Sequence, residues 1–278
     1  MLRIDDLHCG AGGRPIIRGI STEFSPGLFH VIVGPNGSGK STFLKAFSGE
    51  WPVESGDIFY DGQPLAVIGK TQLAQRRAVM SQLHELNFPI RVDDIVMMGR
   101  YPHFAYRHGP HDTDICRQAM KRLGVLELAS RDYLTLSGGE RQRVQFARAL
   151  AQIWDIPVAG GSRYLFLDEP VSSLDVHYQH EFLALARSLA ASGIVVIAVL
   201  HDLNLALQYA DRILFLKAGR IVAAGAAPEI VTPELIGDVF GVRAQLLANP
   251  FGQRPVVVYS EQLRQEGMGF GRTNVNTP

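Results

Sequence analysis

An apolar, β-branched run from Leu28 to Val33 gives way to Gly34-Pro35-Asn36-Gly37-Ser38-Gly39-Lys40-Ser41, and then to the helix-forming stretch from Ser41 to Phe47. Strand, glycine-rich turn and helix follow in that order. The turn matches G-x-x-x-x-G-K-[ST] in the context that makes the pattern specific. Its glycines let successive backbone N–H groups point inward around phosphate oxygens, and the helix N-terminus adds partial positive charge. Lys40 supplies a point charge to the outer phosphates, and the Ser41 hydroxyl is a candidate Mg²⁺ ligand. Pro35, Asn36, Gly37, Ser38, Gly39 and Thr42 complete the expected nucleotide cradle.

A loop of this kind needs a sheet behind it. Tyr164-Leu165-Phe166-Leu167 and Ile194 to Leu200 are continuous apolar runs, as strands buried on both faces of a parallel sheet require, and helical segments follow each. Arg3–Leu7, Ile16–Phe24 and Asp57–Gly62 read as short antiparallel strands. From about Asp93 to Leu150 the pattern is helical, with Ile115, Ala119 and Leu123 on one face and a second amphipathic stretch over Glu140–Ala151. The expectation is an α/β core with an antiparallel β subdomain and an inserted helical subdomain at about 85–150. Ile213–Lys217 and Ile221–Ala224 suggest a closing hairpin, Pro228–Val239 a helical piece and Val256–Tyr259 a last edge strand. Residues after Gln265 have little to bury and are expected to fray.

Asp168-Glu169 ends the run from Tyr164, which puts two carboxylates at the carboxyl edge of a parallel sheet, where α/β proteins bind their ligands. Asp168 is the candidate metal ligand and Glu169 the candidate general base for the attacking water. Further on, Leu136-Ser137-Gly138-Gly139-Glu140-Arg141-Gln142-Arg143 places Ser-Gly-Gly before a strongly helical segment, a second helix N-terminus with exposed donors.

With that string the sequence resembles the ATP-binding-cassette (ABC) family, whose signature reads LSGGQ; position 140 is Glu where the family has Gln. The resemblance spans nearly residues 1 to 260. It implies a P-loop NTPase (RecA-like) fold, an ABC ATPase domain over 1–240 and a C-terminal extension over 241–278. Gln82 resembles the Q-loop glutamine that touches metal and attacking water. Asp175, in Ser173-Leu174-Asp175, resembles the D-loop aspartate, and His201 the switch histidine that contacts the γ-phosphate. The family completes each ATP site with the opposite subunit's signature. The resemblance therefore implies a homodimer in which Ser137, Gly138 and Gly139 act in trans, with ATP and Mg²⁺ in two shared sites. The family's adenine-stacking aromatic is missing: Ala11 stands at its position, with Arg14 or His8 as substitutes, so weak base discrimination is expected.

Met97-Met98-Gly99-Arg100-Tyr101-Pro102-His103 resembles a segment of the ATPases of siderophore, cobalamin and haem importers. The insertion from Leu150 through Tyr164 resembles haem-importer ATPases in particular. These imply integral permease partners, a periplasmic binding protein met indirectly, and a peripheral place on the cytoplasmic face of a bacterial inner membrane. Met97, Met98, Tyr101 and Phe104 are expected to be exposed for the permease. His84, His103, His108 and His111 fit no regular metal-ligand spacing, and a partner surface is the favoured reading over a metal or haem site.

Bulk properties narrow the alternatives. The 27 Lys+Arg balance 27 Asp+Glu, so no nucleic-acid-binding surface is expected, and a soluble ABC ATPase of translation or repair is the lesser reading. Cys9 and Cys116 lack CxxC spacing, and no apolar run reaches the length of a bilayer span.

Overall fold

The computed structural model describes residues 1–81, 88–155 and 161–260. The chain opens with β1 (Leu2–Ala11), β2 (Arg14–Phe24) and β3 (Phe29–Val33), then α1 (Lys40–Phe47). Next come β4 (Ser55–Tyr60), β5 (Gln63–Pro64), α2 (Lys70–Arg76) and β6 (Arg77–Met80). Three helices follow, α3 (Val92–Met98), α4 (Pro110–Arg122) and α5 (Gly138–Gln152). The chain then alternates β7 (Tyr164–Asp168), α6 (Val176–Ala191), β8 (Val195–Val199) and α7 (Leu203–Tyr209). The described residues end with β9 (Arg212–Lys217), β10 (Arg220–Ala226), α8 (Ala227–Ile230), α9 (Pro233–Phe240), β11 (Arg243–Leu247) and β12 (Val256–Ser260).

The main sheet runs β10-β9-β3-β8-β7-β6, parallel except for the β9–β10 hairpin. Alternation along its strands divides the interior in two. Leu165, Leu167, Val196 and Ala198 face a core shared with the helices, including Ile115 and Ala119 of α4. Tyr164, Phe166, Val195 and Ile197 face α1 and the second sheet, β2-β1-β4-β5. Between β6 and β7, α3 and α4 both pack on α5.

The buried Arg100 ties this helical region together. It donates to Asp112 Oδ1 (3.0 Å), to the Ala151 carbonyl (2.8 Å) and to Asp155 Oδ2 (2.7 Å). Burial raises the Asp112 pKa, but the Gly109 N–H and Arg100 outweigh it and hold the carboxyl below its ordinary range.

Val256–Tyr259 is an edge strand, as expected, in a separate two-stranded ribbon with β11. One expectation is corrected: Met97, Met98 and Phe104 are half-buried rather than exposed. Met97 packs against the main core, with its sulfur 4.0 Å from the Cys116 thiol, because α3 turns that position toward α4. The tail after Gln265 lies outside the described residues.

Candidate functional site

As parallel neighbours, β3, β8 and β7 deliver Gly34, His201 and Asp168-Glu169 to one edge of the sheet. The loop after β3 is moulded by close approach. A Cβ on Gly34 would lie 2.0 Å from the Leu216 carbonyl oxygen, and one on Gly39, at φ 101°, 2.9 Å from Ile17 Cδ1. The β9–β10 turn holds the loop from outside: Gly219 N–H donates to the Ser38 carbonyl (3.0 Å), and Arg18 N–H to that of Gly219 (2.9 Å). Pro35 is half-buried, Asn36 and Gly37 are exposed, and Thr42 is half-buried in the first turn of α1.

Lys40 Nζ donates to the carbonyls of Gly34 (2.8 Å) and Pro35 (3.0 Å). Burial lowers its pKa, against the pull of the Glu169 and Asp168 charges. An ammonium has three donors, so one remains for a phosphate oxygen. Ser38 Oγ is buried without a hydrogen-bond partner among the described residues, which a phosphate oxygen would satisfy. Ser41 Oγ donates to Asp168 Oδ1 at 2.9 Å. This hydroxyl–carboxylate pair is the hard oxygen chemistry that suits Mg²⁺. Burial raises the Asp168 pKa, opposed first by the Ser41 hydroxyl.

Glu169 leaves β7 with its backbone at φ 52°, and its N–H donates to the Val199 carbonyl at 3.2 Å. This left-handed turn presents the carboxylate to the residue that follows β8 and Leu200: Glu169 Oε1 lies 2.5 Å from His201 Nε2. The predicted base and the predicted γ-phosphate contact are thus side by side. Gln82 lies outside the described residues.

Ser137 caps α5. It accepts from Glu140 N–H (3.3 Å), while Glu140 Oε2 accepts from the Ser137 backbone N–H (2.8 Å) and hydroxyl (2.8 Å). The departure at position 140 therefore closes a capping box. Those two donors hold the Glu140 carboxyl below its ordinary range. Ser137 and Gly138 are exposed, and Gly139 lies against Leu174. Asp175 is exposed and caps α6 by accepting from Tyr178 N–H at 3.1 Å.

Sequence reasoning missed two contributors. Gln142 is buried on α5, donates to the Pro170 carbonyl and accepts from Ser173 Oγ at 2.7 Å, joining the signature helix to the chain after Glu169. Ile16, on β2, comes within 3.2 Å of the Gly39 Cβ position, so an aliphatic side chain flanks the loop. Its only signal was an apolar residue in a short strand. Ala11 and Arg14 are exposed at the β1–β2 turn, and His8 pairs with Asp6 at 3.2 Å.

Of the histidines, His103 binds the Gln152 carbonyl (2.7 Å) and His111 contacts Asp155 (3.3 Å), while His84 is outside the described residues. No group of three or more His, Cys, Asp or Glu that could hold a metal occurs among the described residues. Tyr101 and Phe104, in T-shaped contact at 5.8 Å, line an open groove of about 630 Å³ with Lys70, Ala74 and His103. No described helix is long and apolar enough to cross a membrane.

Residues 17–172 match the family model described as ABC transporter. The chain is 44% identical over 258 residues, 93% of it and 94% of the relative, to a hemin import ATP-binding protein HmuV of Gloeobacter violaceus. It is also 44% identical to a protein of that name from Hahella chejuensis, covering 88% of this chain and 94% of that one. Among solved structures it resembles a metal-chelate type ABC transporter in an inward-facing conformation, with a TM-score of 0.78 and 25% identity over 93% of this chain and 96% of that one.

Proposed function

The chain belongs to the ABC transporter ATP-binding family, and from that premise we propose that it hydrolyses ATP to drive a membrane permease that imports haem. The observation that carries the ATPase reading is the convergence of Lys40, Ser41, Asp168, Glu169 and His201 on one sheet edge. The likeness to hemin-import relatives along nearly the whole chain supports the cargo.

In this reading Lys40, Ser38 and the loop N–H groups bind the phosphates, and Ser41, Asp168 and Gln82 hold Mg²⁺, which neutralises charge on the phosphate oxygens. Glu169 takes a proton from the attacking water. His201 orients that carboxylate and faces the γ-phosphate. Ser137, Gly138 and Gly139 at the capped start of α5 serve the site of a second copy, with Asp175 at the same interface. The Tyr101–Phe104 groove receives the permease, which sets the chain against the cytoplasmic face of the inner membrane, out of direct reach of the periplasmic binding protein.

The test is reconstitution with the permease in proteoliposomes. Haem delivered by its binding protein should stimulate ATP hydrolysis several-fold, and stimulation by a siderophore or cobalamin instead would reassign the cargo.

A further inference from the structure

The C-terminal segment grips both ends of α7, the helix that begins two residues after His201. At its start, the Asn204 side chain pairs with one backbone position of β12: Nδ2 donates to the Val257 carbonyl (3.1 Å) and Oδ1 accepts Val257 N–H (2.7 Å). An amide placed this way substitutes for a neighbouring strand. At its end, Arg254 donates to the carbonyls of Leu207 (2.8 Å) and Ala210. These are orphan acceptors at a helix C-terminus, where a cation also meets the negative end of the helix dipole. Arg254 further lies 3.7 Å from Asp211, whose other oxygen accepts Phe29 N–H (2.9 Å) at the root of β3. Ahead of both grips, Asp202 caps α7 by accepting from Asn204 and Leu205 N–H (2.7 and 3.2 Å), which fixes the residue next to His201.

A helix of seven residues is too short to hold its own shape in water. Its position is set by what surrounds it. We infer that the segment 254–257 is a brace and not a passive tail: it positions α7, and through it His201 against Glu169, so that Arg254 and its α7 counterpart Asn204 are positioning residues for ATP hydrolysis. This rests on the reading of His201 as a residue of the hydrolytic site.

The test compares Arg254→Met, Asn204→Leu, Arg254→Lys and His201→Ala in the full-length chain with its permease. Arg254→Met and Asn204→Leu should lower kcat roughly tenfold with KM for ATP little changed, the pattern of a displaced catalytic group. Arg254→Lys should recover most of the loss. Hydrogen exchange should speed up at residues 202–207 in both impaired variants and stay unchanged in α1. In a Glu169→Gln background the same variants should still form the ATP-bound dimer.

Unchanged kcat in Arg254→Met and Asn204→Leu, with His201→Ala inactive, overturns the brace and leaves the site intact. Normal turnover in His201→Ala overturns the reading of the site itself. Global unfolding of both variants, or an equal rise in KM, also overturns the brace, since either assigns the segment to general stability or nucleotide binding.

Discussion

At the scale of single residues, the proposed mechanism assigns one carboxylate to metal and its neighbour to water. Asp168 is buried and tied to Ser41, whereas Glu169 is turned out of the strand toward His201. Glu169→Gln removes the proton acceptor and keeps the shape, so hydrolysis should fall by about 10²–10⁴-fold while ATP still binds, measured as phosphate release beside nucleotide affinity. The adenine side makes a different demand. With Ala11 exposed and the aliphatic Ile16 and Ile17 against the loop, ATP and GTP should bind within roughly tenfold of each other. Ala11→Tyr should tighten ATP by about 0.5–1.5 kcal/mol, the worth of an added ring stack. Titration of the parent and of Ala11→Tyr with both nucleotides checks this.

At the scale of elements, polar residues decide what the helices do. Glu140→Ala opens the capping box of α5 and should cost about 0.3–1.5 kcal/mol, read in urea unfolding. Arg100→Met leaves Asp112 without its guanidinium and should cost about 3–5 kcal/mol, much of it the penalty of a stranded charge. The Asp112 carboxyl is held below its ordinary value. Its contribution is therefore complete above the unfolded value of about 3.9 and is lost as pH falls through the lower folded one. The Arg100→Met variant should accordingly show a shallower loss of stability on acidification than the parent.

These are also the elements where reading the sequence worked unevenly. β7 and β8 were legible because burial on both faces leaves an unbroken apolar run, and α4 because Ile115, Ala119 and Leu123 repeat at helical spacing. β6 was not: Arg77–Met80 has only four residues, and pairing with β7 makes it a strand. Gln142 and the hold of Asn204 on Val257 were illegible because each depends on partners distant in sequence, and a glutamine or asparagine looks the same wherever its amide points.

At the scale of the molecule, the proposed dimer puts the loop and the signature of one chain in different ATP sites, so two damaged chains should repair one another. Lys40→Ala and Ser137→Arg should each be inactive alone. Mixed in equal amounts they should regain about a quarter of normal turnover, since half the dimers are mixed and each keeps one of two sites, and no recovery would place both motifs in one chain's own site.

The left-handed backbone at Glu169 carries a consequence for heat resistance. A side chain with a Cβ held at φ 52° raises the energy of the native chain. Glu169→Gly relieves that strain, and it should melt a few degrees higher than the parent while hydrolysing almost nothing. A screen for thermal tolerance alone would therefore select against hydrolysis at this position.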